Sequence, residues 1–267
     1  MKTLQGETVV YKLDLSGAEI TLNPFVGKKL RLSFTGVINC VHCGKEIKKS
    51  YNQGYCFPCT IKLAECDICI VRPELCHYDK GTCREPAWGE EHCLKTHVIY
   101  IANSSGLKVG ITRATQVPTR WMDQGATQAL PIMEVTSRLQ SGIIETTLKR
   151  YINDKTDWRK MLKGGQDNVD LKLEARNLIH LAREELDGLE FEVLDQEVYD
   201  FNYPVLKYPE KVASISVEKN PVIEQTLLGI KGQYLIFEKG VINIRSHAGY
   251  QVELEDEYVS SPENPIS

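Results

Sequence analysis

All nine cysteines of the chain lie between Cys40 and Cys93, and they are the residues best equipped for chemistry. Cys40 and Cys43 are separated by two residues, as are Cys56 and Cys59, with twelve residues between the pairs. Two such knuckles place four thiolates tetrahedrally around zinc. Gly44 follows the first knuckle, where a tight turn lets backbone N–H groups face sulfur. In a reducing compartment, clustered cysteine pairs argue for metal rather than disulfides.

The stretch after them is crowded: Cys66, Cys69, Cys76, His77, Cys83, His92, Cys93 and His97. A second zinc is expected there, held by Cys69, Cys76, Cys83 and Cys93, with Cys66, His77 and His97 as alternates. The alternative is that some of these thiols are simply buried. Four protein ligands leave no open position for water, so both zinc ions are read as structural. Between the first knuckles stand Lys45, Lys48 and Lys49 beside Tyr51 and Tyr55. That combination suits phosphate contact with base stacking, or else a solvated hairpin tip.

A second set of candidates follows. "VIYIANSSGLKVGIT", residues 98–112, reads as a hairpin carrying Tyr100 and Lys108. Pro118 suits the first turn of a short helix and Gly125 its end, which puts Arg120 one turn in, facing back toward the hairpin. Apolar residues at 139, 143, 144, 148, 151 and 152 form a helical stripe with Glu145 at its edge. Cleaving a phosphodiester needs an activated water, a metal on the phosphate and a cation for the developing charge. Glu145 is a hard oxygen ligand suited to Mg²⁺ or Mn²⁺. Arg120 suits a bidentate phosphate clamp, and Tyr100 or Lys108 can position or deprotonate water. Each also has an ordinary reading. Tyr100 is then a strand residue, Lys108 a solvated edge charge, Arg120 a partner of Asp123, and Glu145 an exposed helix residue. Trp121 and Trp158 read as core.

The order of these residues resembles the GIY-YIG nuclease superfamily over roughly residues 97–163. "VIY" stands where the first name motif would be and "KVG" where the second would be. Arg120 and Glu145 match the family's helical arginine and its metal-binding glutamate. "DWR", residues 157–159, resembles the closing element of a divergent branch, which often has Lys where the second motif has Tyr. The resemblance implies a divalent-metal-dependent nuclease with Tyr100, Lys108, Arg120 and Glu145 as its catalytic set. Nearly the whole chain is also similar to a bacterial family known only as a domain of unknown function. The matching stretches are "NCVHCGKEIKKSYNQGYCFPC", "CDICIVRPELCHYDKGTCREP", "KVGITR", "PTRWMDQGA" and "LLGIKGQYLIFEKGVINIR".

The elements that must position these residues give an α+β reading. Residues 1–39 alternate apolar and polar as strands, 40–97 are Cys-rich and loop-like, and 98–163 form the GIY-YIG-like module. Residues 164–188 read as a connecting helix ending at Gly188, and 189–259 return to strands that include "VASISVE", with a turn at "FEKGVI". The tail "SSPENPIS" is expected to fray. Both flanks are small, so the N- and C-terminal strands are expected to pair into one barrel or sandwich. The zinc-ribbon-like block and the middle module are then inserted between them.

The 267 residues, 42% hydrophobic and 25% charged, have an ordinary globular composition. No apolar run approaches the ~20 residues that cross a bilayer, and the start of the chain lacks a signal core, so a cytoplasmic location is expected. The net charge of −4 is uneven. Residues 98–163 carry ten Lys/Arg against five Asp/Glu, and residues 164–267 carry nine against twenty. A basic middle in an acidic chain suits an anionic ligand such as nucleic acid. Lys231, Arg245 and His247 are candidates for a small basic face. Three functions are therefore weighed: a metal-dependent nuclease, a zinc-stabilised nucleic-acid-binding protein with a silent nuclease fold, and a protein-interaction adaptor using the acidic C-terminal segment.

Overall fold

The computed structural model describes residues 1–15, 17–152, 156–166 and 168–256; the tail expected to fray lies outside them. In chain order the first elements are β1 (Lys2–Leu4), β2 (Val10–Leu15), β3 (Ala18–Thr21), β4 (Lys29–Ile38), α1 (Phe57–Lys62) and α2 (Pro86–His92). Then come β5 (His97–Asn103), β6 (Leu107–Arg113), α3 (Thr119–Asp123), β7 (Gln128–Val135), α4 (Arg138–Leu148), α5 (Trp158–Lys163) and α6 (Leu171–Leu186). The last are β8 (Glu192–Val193), β9 (Tyr199–Asp200), β10 (Val222–Lys231), β11 (Tyr234–Phe237), β12 (Gly240–Asn243) and β13 (Tyr250–Asp256). The class is α+β. Several sheets are present and none closes into a barrel. The chain divides into two units, one of residues 1–59, 162–164 and 202–267, the other of 60–161 and 165–201.

In the first unit N- and C-terminal strands share one antiparallel sheet, ordered β12-β11-β10-β4-β13. The alternation of "KLRLS" explains the pairing. Leu32 stands opposite Ile223 on one side and Leu254 on the other, and Leu30, Leu32 and Ile223 are buried. Arg31, on the opposite face, stands across from Glu224 and Glu255. A one-residue slip would exchange these faces, so the register is well specified. β1, β2 and β3 form a separate three-stranded sheet. The expected turn at "FEKGVI" joins β11 to β12. The expected strand "VASISVE" is not formed. Ser214 makes a single bridge to Val241, and the chain then folds into a turn closed by Asn220 N–H donating to the Ser216 carbonyl. Pro209 and Pro221 bracket the segment and cannot donate to a ladder.

In the second unit the sheet order is β6-β5-β7-β8, with β9 also on β7. Every residue of β5, "HVIYIAN", is buried, because both faces of this central strand are covered. Ile99 and Ile101 join Val109, Leu130 and Ile132 in an aliphatic core against Ile144 and Leu148 of α4 and Leu178, Ala182 and Leu186 of α6. Tyr100, between those two isoleucines, points the other way. Its ring meets Trp121 of α3 at 5.6 Å, and Trp121 meets Tyr199 at 4.9 Å.

The helices end where their sequences provide caps. Ser137 accepts from the Gln140 amide at the start of α4, and Asp170 from the Leu173 amide at the start of α6. Gly188, at φ +78, follows the end of α6. The Asp170 cap sets the helix start later than the glycine pair at 164–165.

The second half of the Cys-rich block forms short 3₁₀ turns and α2. It is fastened to α4: a Cβ on Gly142 would stand 2.5 Å from the Pro73 Cβ and the Glu74 nitrogen. Arg138 donates to the carbonyls of Cys69 and Ile70, and its own amide donates to the Cys93 carbonyl.

Candidate functional site

The sulfurs of Cys40, Cys43, Cys56 and Cys59 lie within 4.8 Å of one another, and those of Cys43 and Cys56 are 3.9 Å apart. The first knuckle turns at Gly44, whose φ of +71 suits a residue without Cβ. Its amide donates to the Cys40 carbonyl, and the Cys56 amide donates to the Cys40 sulfur at 3.2 Å. Burial pushes the Cys40 thiol up, but the amides of Cys43, Cys56 and His42 outweigh it and bring the thiol to about 6. Cys59 goes the other way, raised first by its contact with Cys56, then by burial and by Cys43 and Cys40. Four thiols this close ionise together only around a cation. The group can hold a metal ion such as zinc.

Lys45, Lys48 and Lys49 are exposed between the two knuckles. The Lys49 ammonium lies 5.3 Å from the Tyr51 ring centre. Tyr51 is 37% exposed and Phe57 57%, and their ring centres are 5.6 Å apart. Tyr55 is half-buried and exchanges backbone hydrogen bonds with Tyr51.

In the second unit, Tyr100, Lys108 and Arg120 meet. The Tyr100 hydroxyl donates to the Gln124 Oε1 at 2.8 Å, and the Lys108 ammonium donates to the same oxygen at 2.7 Å. Lys108 also donates to the Thr156 hydroxyl at 2.8 Å, which is 3.0 Å from the Ser104 hydroxyl. The Arg120 side chain is hydrogen-bonded to the Tyr100 hydroxyl. Burial raises the Tyr100 phenol, against the opposing pull of Arg120, while Glu145 adds to the rise. Glu145 is therefore in electrostatic reach of Tyr100. Its carboxylate pairs with Lys149 at 3.2 Å, one turn along α4. Tyr100 is fully buried, and Lys108 and Glu145 are 3% and 9% exposed. The solvated-edge reading of Lys108 and the exposed-helix reading of Glu145 are thus replaced by an enclosed polar cluster. Trp121 is core, as read from the sequence.

The later cysteines gather elsewhere in the second unit. Cys69, Cys76, Cys83 and Cys93 line one cavity, together with His77 and Asp67. Asp67, Cys69 and His77 have donor atoms within 4.8 Å of one another. Arg84 Nε donates to Asp67 Oδ2 at 2.6 Å. Burial pushes the Asp67 carboxyl up, but the Cys69 amide and the Arg84 charge bring it below its usual range. Cys66 does not line this cavity. His97 is fully buried, its Nδ1 2.7 Å from the Lys95 carbonyl, and burial holds the imidazole down at about 4.

The family model described as Protein of unknown function (DUF2797) matches residues 27–252. The chain belongs to this family. The matched span of DUF2797 takes in both cysteine groups and the Tyr100 cluster. No curated protein and no solved structure matches the chain.

Reading the DUF2797 sequence residue by residue misses Gln124, Thr156, Asp67 and Phe57. Gln124 follows α3 directly, so a helical count from Arg120 places it on the same face, and that signal was present. Asp67 lies between two cysteines, where its carboxylate reads as a charge rather than a ligand. The basic face proposed for Lys231 is corrected. Lys231 is fully buried, its ammonium 5.3 Å from the Tyr203 ring centre and 5.4 Å from that of Tyr208, while Arg245 bonds Gln53. Among the described residues no helix is long and apolar enough to cross a membrane.

Proposed function

We propose that this protein binds single-stranded nucleic acid through the surface between its first two knuckles, with zinc at Cys40, Cys43, Cys56 and Cys59 as a structural ion. The observation that carries this reading is the pair of exposed rings, Tyr51 and Phe57, with Lys49 over the first. Bases stack on exposed rings without regard to sequence, and the flanking lysines neutralise phosphates. The four thiolates fill the ion's coordination and hold together the hairpin that carries Tyr51 and the start of α1, where Phe57 stands.

The middle module is read as a nuclease-like fold that does not cleave. The Tyr100 hydroxyl and Lys108 ammonium are enclosed and committed to Gln124, which ties up the groups that would address a water. The convergence of Tyr100, Lys108 and Arg120, with Glu145 in electrostatic reach, supports the competing reading of a GIY-YIG-type nuclease. In that reading Glu145 would hold Mg²⁺ or Mn²⁺, which would carry charge on the phosphate. Arg120 would clamp the phosphate and Gln124 would orient Tyr100 and Lys108.

Fluorescence anisotropy with labelled oligo-dT and oligo-rU tests the binding reading. Affinity should fall as salt rises and drop about tenfold or more when Tyr51 and Phe57 are both changed to Ala, at about 1.4 kcal/mol per tenfold. No binding at low salt, or binding indifferent to the double substitution, would overturn it. Incubation of the same substrates with Mg²⁺ or Mn²⁺ separates the two readings of the middle module. Cleavage by the wild type that is lost in Glu145→Ala would replace the silent reading with the nuclease.

A further inference from the structure

The two cysteine groups differ in one respect. In the first, all four sulfurs crowd within 4.8 Å of one another. That is the packing a single zinc needs, since Zn–S bonds of about 2.3 Å leave tetrahedral sulfurs roughly 3.8 Å apart. In the second, Cys69, Cys76, Cys83 and Cys93 ring a cavity. Among the described residues, no four-cysteine set from 66–93 has all its sulfurs within 4.8 Å. These four nonetheless feel one another: Cys69 is in electrostatic reach of Cys76 and Cys93, and Cys93 of Cys76 and Cys83. The four cysteines thus line one cavity without closing to the spacing of a single zinc site.

We propose that this cavity holds a cubane iron–sulfur cluster ligated by Cys69, Cys76, Cys83 and Cys93. In such a cluster the thiolates bind separate irons across an iron–sulfide core, so they stand farther apart than around zinc. The surroundings suit it. Trp88, Tyr78 and Gly89 contribute to the wall, and a Cβ on Gly89 would stand 3.1 Å from the Tyr78 ring and 3.5 Å from the Cys83 sulfur. The cluster with its thiolates is anionic. Arg138 is in electrostatic reach of Cys69 and Cys93, and Arg113 of Cys93. Arg84 is taken up by Asp67, so the carboxylate adds little net charge to the cavity.

A single divalent ion at Asp67, Cys69 and His77 is the chief rival. It would recruit a carboxylate already paired with Arg84 and would leave Cys76, Cys83 and Cys93 around the same cavity with no ligand role. The cluster uses all three. This inference rests on the second unit alone and stands or falls separately from nucleic-acid binding at the first knuckles.

The test uses the full chain purified without oxygen. Iron and acid-labile sulfide should each approach about four per chain, with the broad visible absorption of thiolate-to-iron charge transfer and one zinc retained. Protein isolated without iron should gain the same iron, sulfide and absorption on oxygen-free incubation with ferric iron, sulfide and a dithiol, whose oxidation to the disulfide supplies the two electrons that bring four ferric ions to the two-ferric, two-ferrous core. Cys83→Ser and Cys93→Ser should lose most of the iron and colour while keeping the zinc. Cys66→Ser, off the cavity, should keep both and shows that a cysteine change alone does not remove the cluster. A second equivalent of zinc that is lost in Cys83→Ser, or a protein that takes up neither iron nor sulfide, would overturn the proposal.

Discussion

Tyr100 and Gly110 stand directly opposite each other across the β5–β6 ladder, and the phenol fills the space a side chain on Gly110 would need. A Cβ there would lie 2.6 Å from the Tyr100 hydroxyl oxygen and 2.7 Å from the ring carbon bearing it. Tyr100 in its observed position therefore requires a glycine at position 110.

Gly110→Ala should destabilise the second unit by about 1–3 kcal/mol through overpacking. Urea unfolding followed by fluorescence would measure it as a lowered midpoint. In a double-mutant cycle with Tyr100→Ala the cost should shrink, because the clashing ring is gone. Strictly additive costs would show that the contact is not the cause.

Gln124→Leu removes the acceptor shared by Tyr100 and Lys108 and leaves two enclosed donors short of a partner. The expected cost is about 1–3 kcal/mol, read from the same unfolding curve. A variant as stable as the wild type would mean that the donors re-pair without strain.

Cys43→Ser should lower the bound zinc by one equivalent per chain, measured by elemental analysis. Chelation of the wild type should lower its Tm, since binding to a folded site adds to folding free energy. Retention of full zinc in Cys43→Ser would remove the four-cysteine assignment.

Lys231 gives a pH signature. Burial holds its ammonium down at about 8 against an ordinary 10.5. Between those values the unfolded chain binds the proton that the folded chain has released, so stability rises with pH across that window and is lost again as pH falls through 8. The contribution is about 3 kcal/mol at full extent, at 1.36 kcal/mol per pKa unit. Unfolding free energies of the wild type and of Lys231→Met, compared from pH 7.5 to 10.5 (roughly the titration window), should diverge in that direction. Parallel curves would place the titration elsewhere.

Local rules read the parts whose signal lies within a few residues. The first knuckles are spaced for one ion, and their sulfurs gather as that spacing requires. Alternation in β4 and the stripe of α6 report their buried faces directly. What sequence could not show is closure at a distance. Lys108 looks solvated because nothing nearby in the chain covers it, while Thr156 and Gln124 do so from 48 and 16 residues away. The same holds for Lys231, packed against Tyr203 and Tyr208. The segment at 212–218 misleads in the other direction. Its β-branched residues favour a strand, yet it pairs only at Ser214.

The place of β4 between β10 and β13 has a consequence for biosynthesis. On the ribosome, β4 emerges well before both its neighbours, residues 222–231 and 250–256. Its hydrogen-bonding edges must wait while the intervening chain is made, and the second unit can acquire its own core first. Such distant pairing is slow and leaves an unpaired strand open to wrong partners. The charges of Lys29 and Arg31 on that strand are the kind that discourage them.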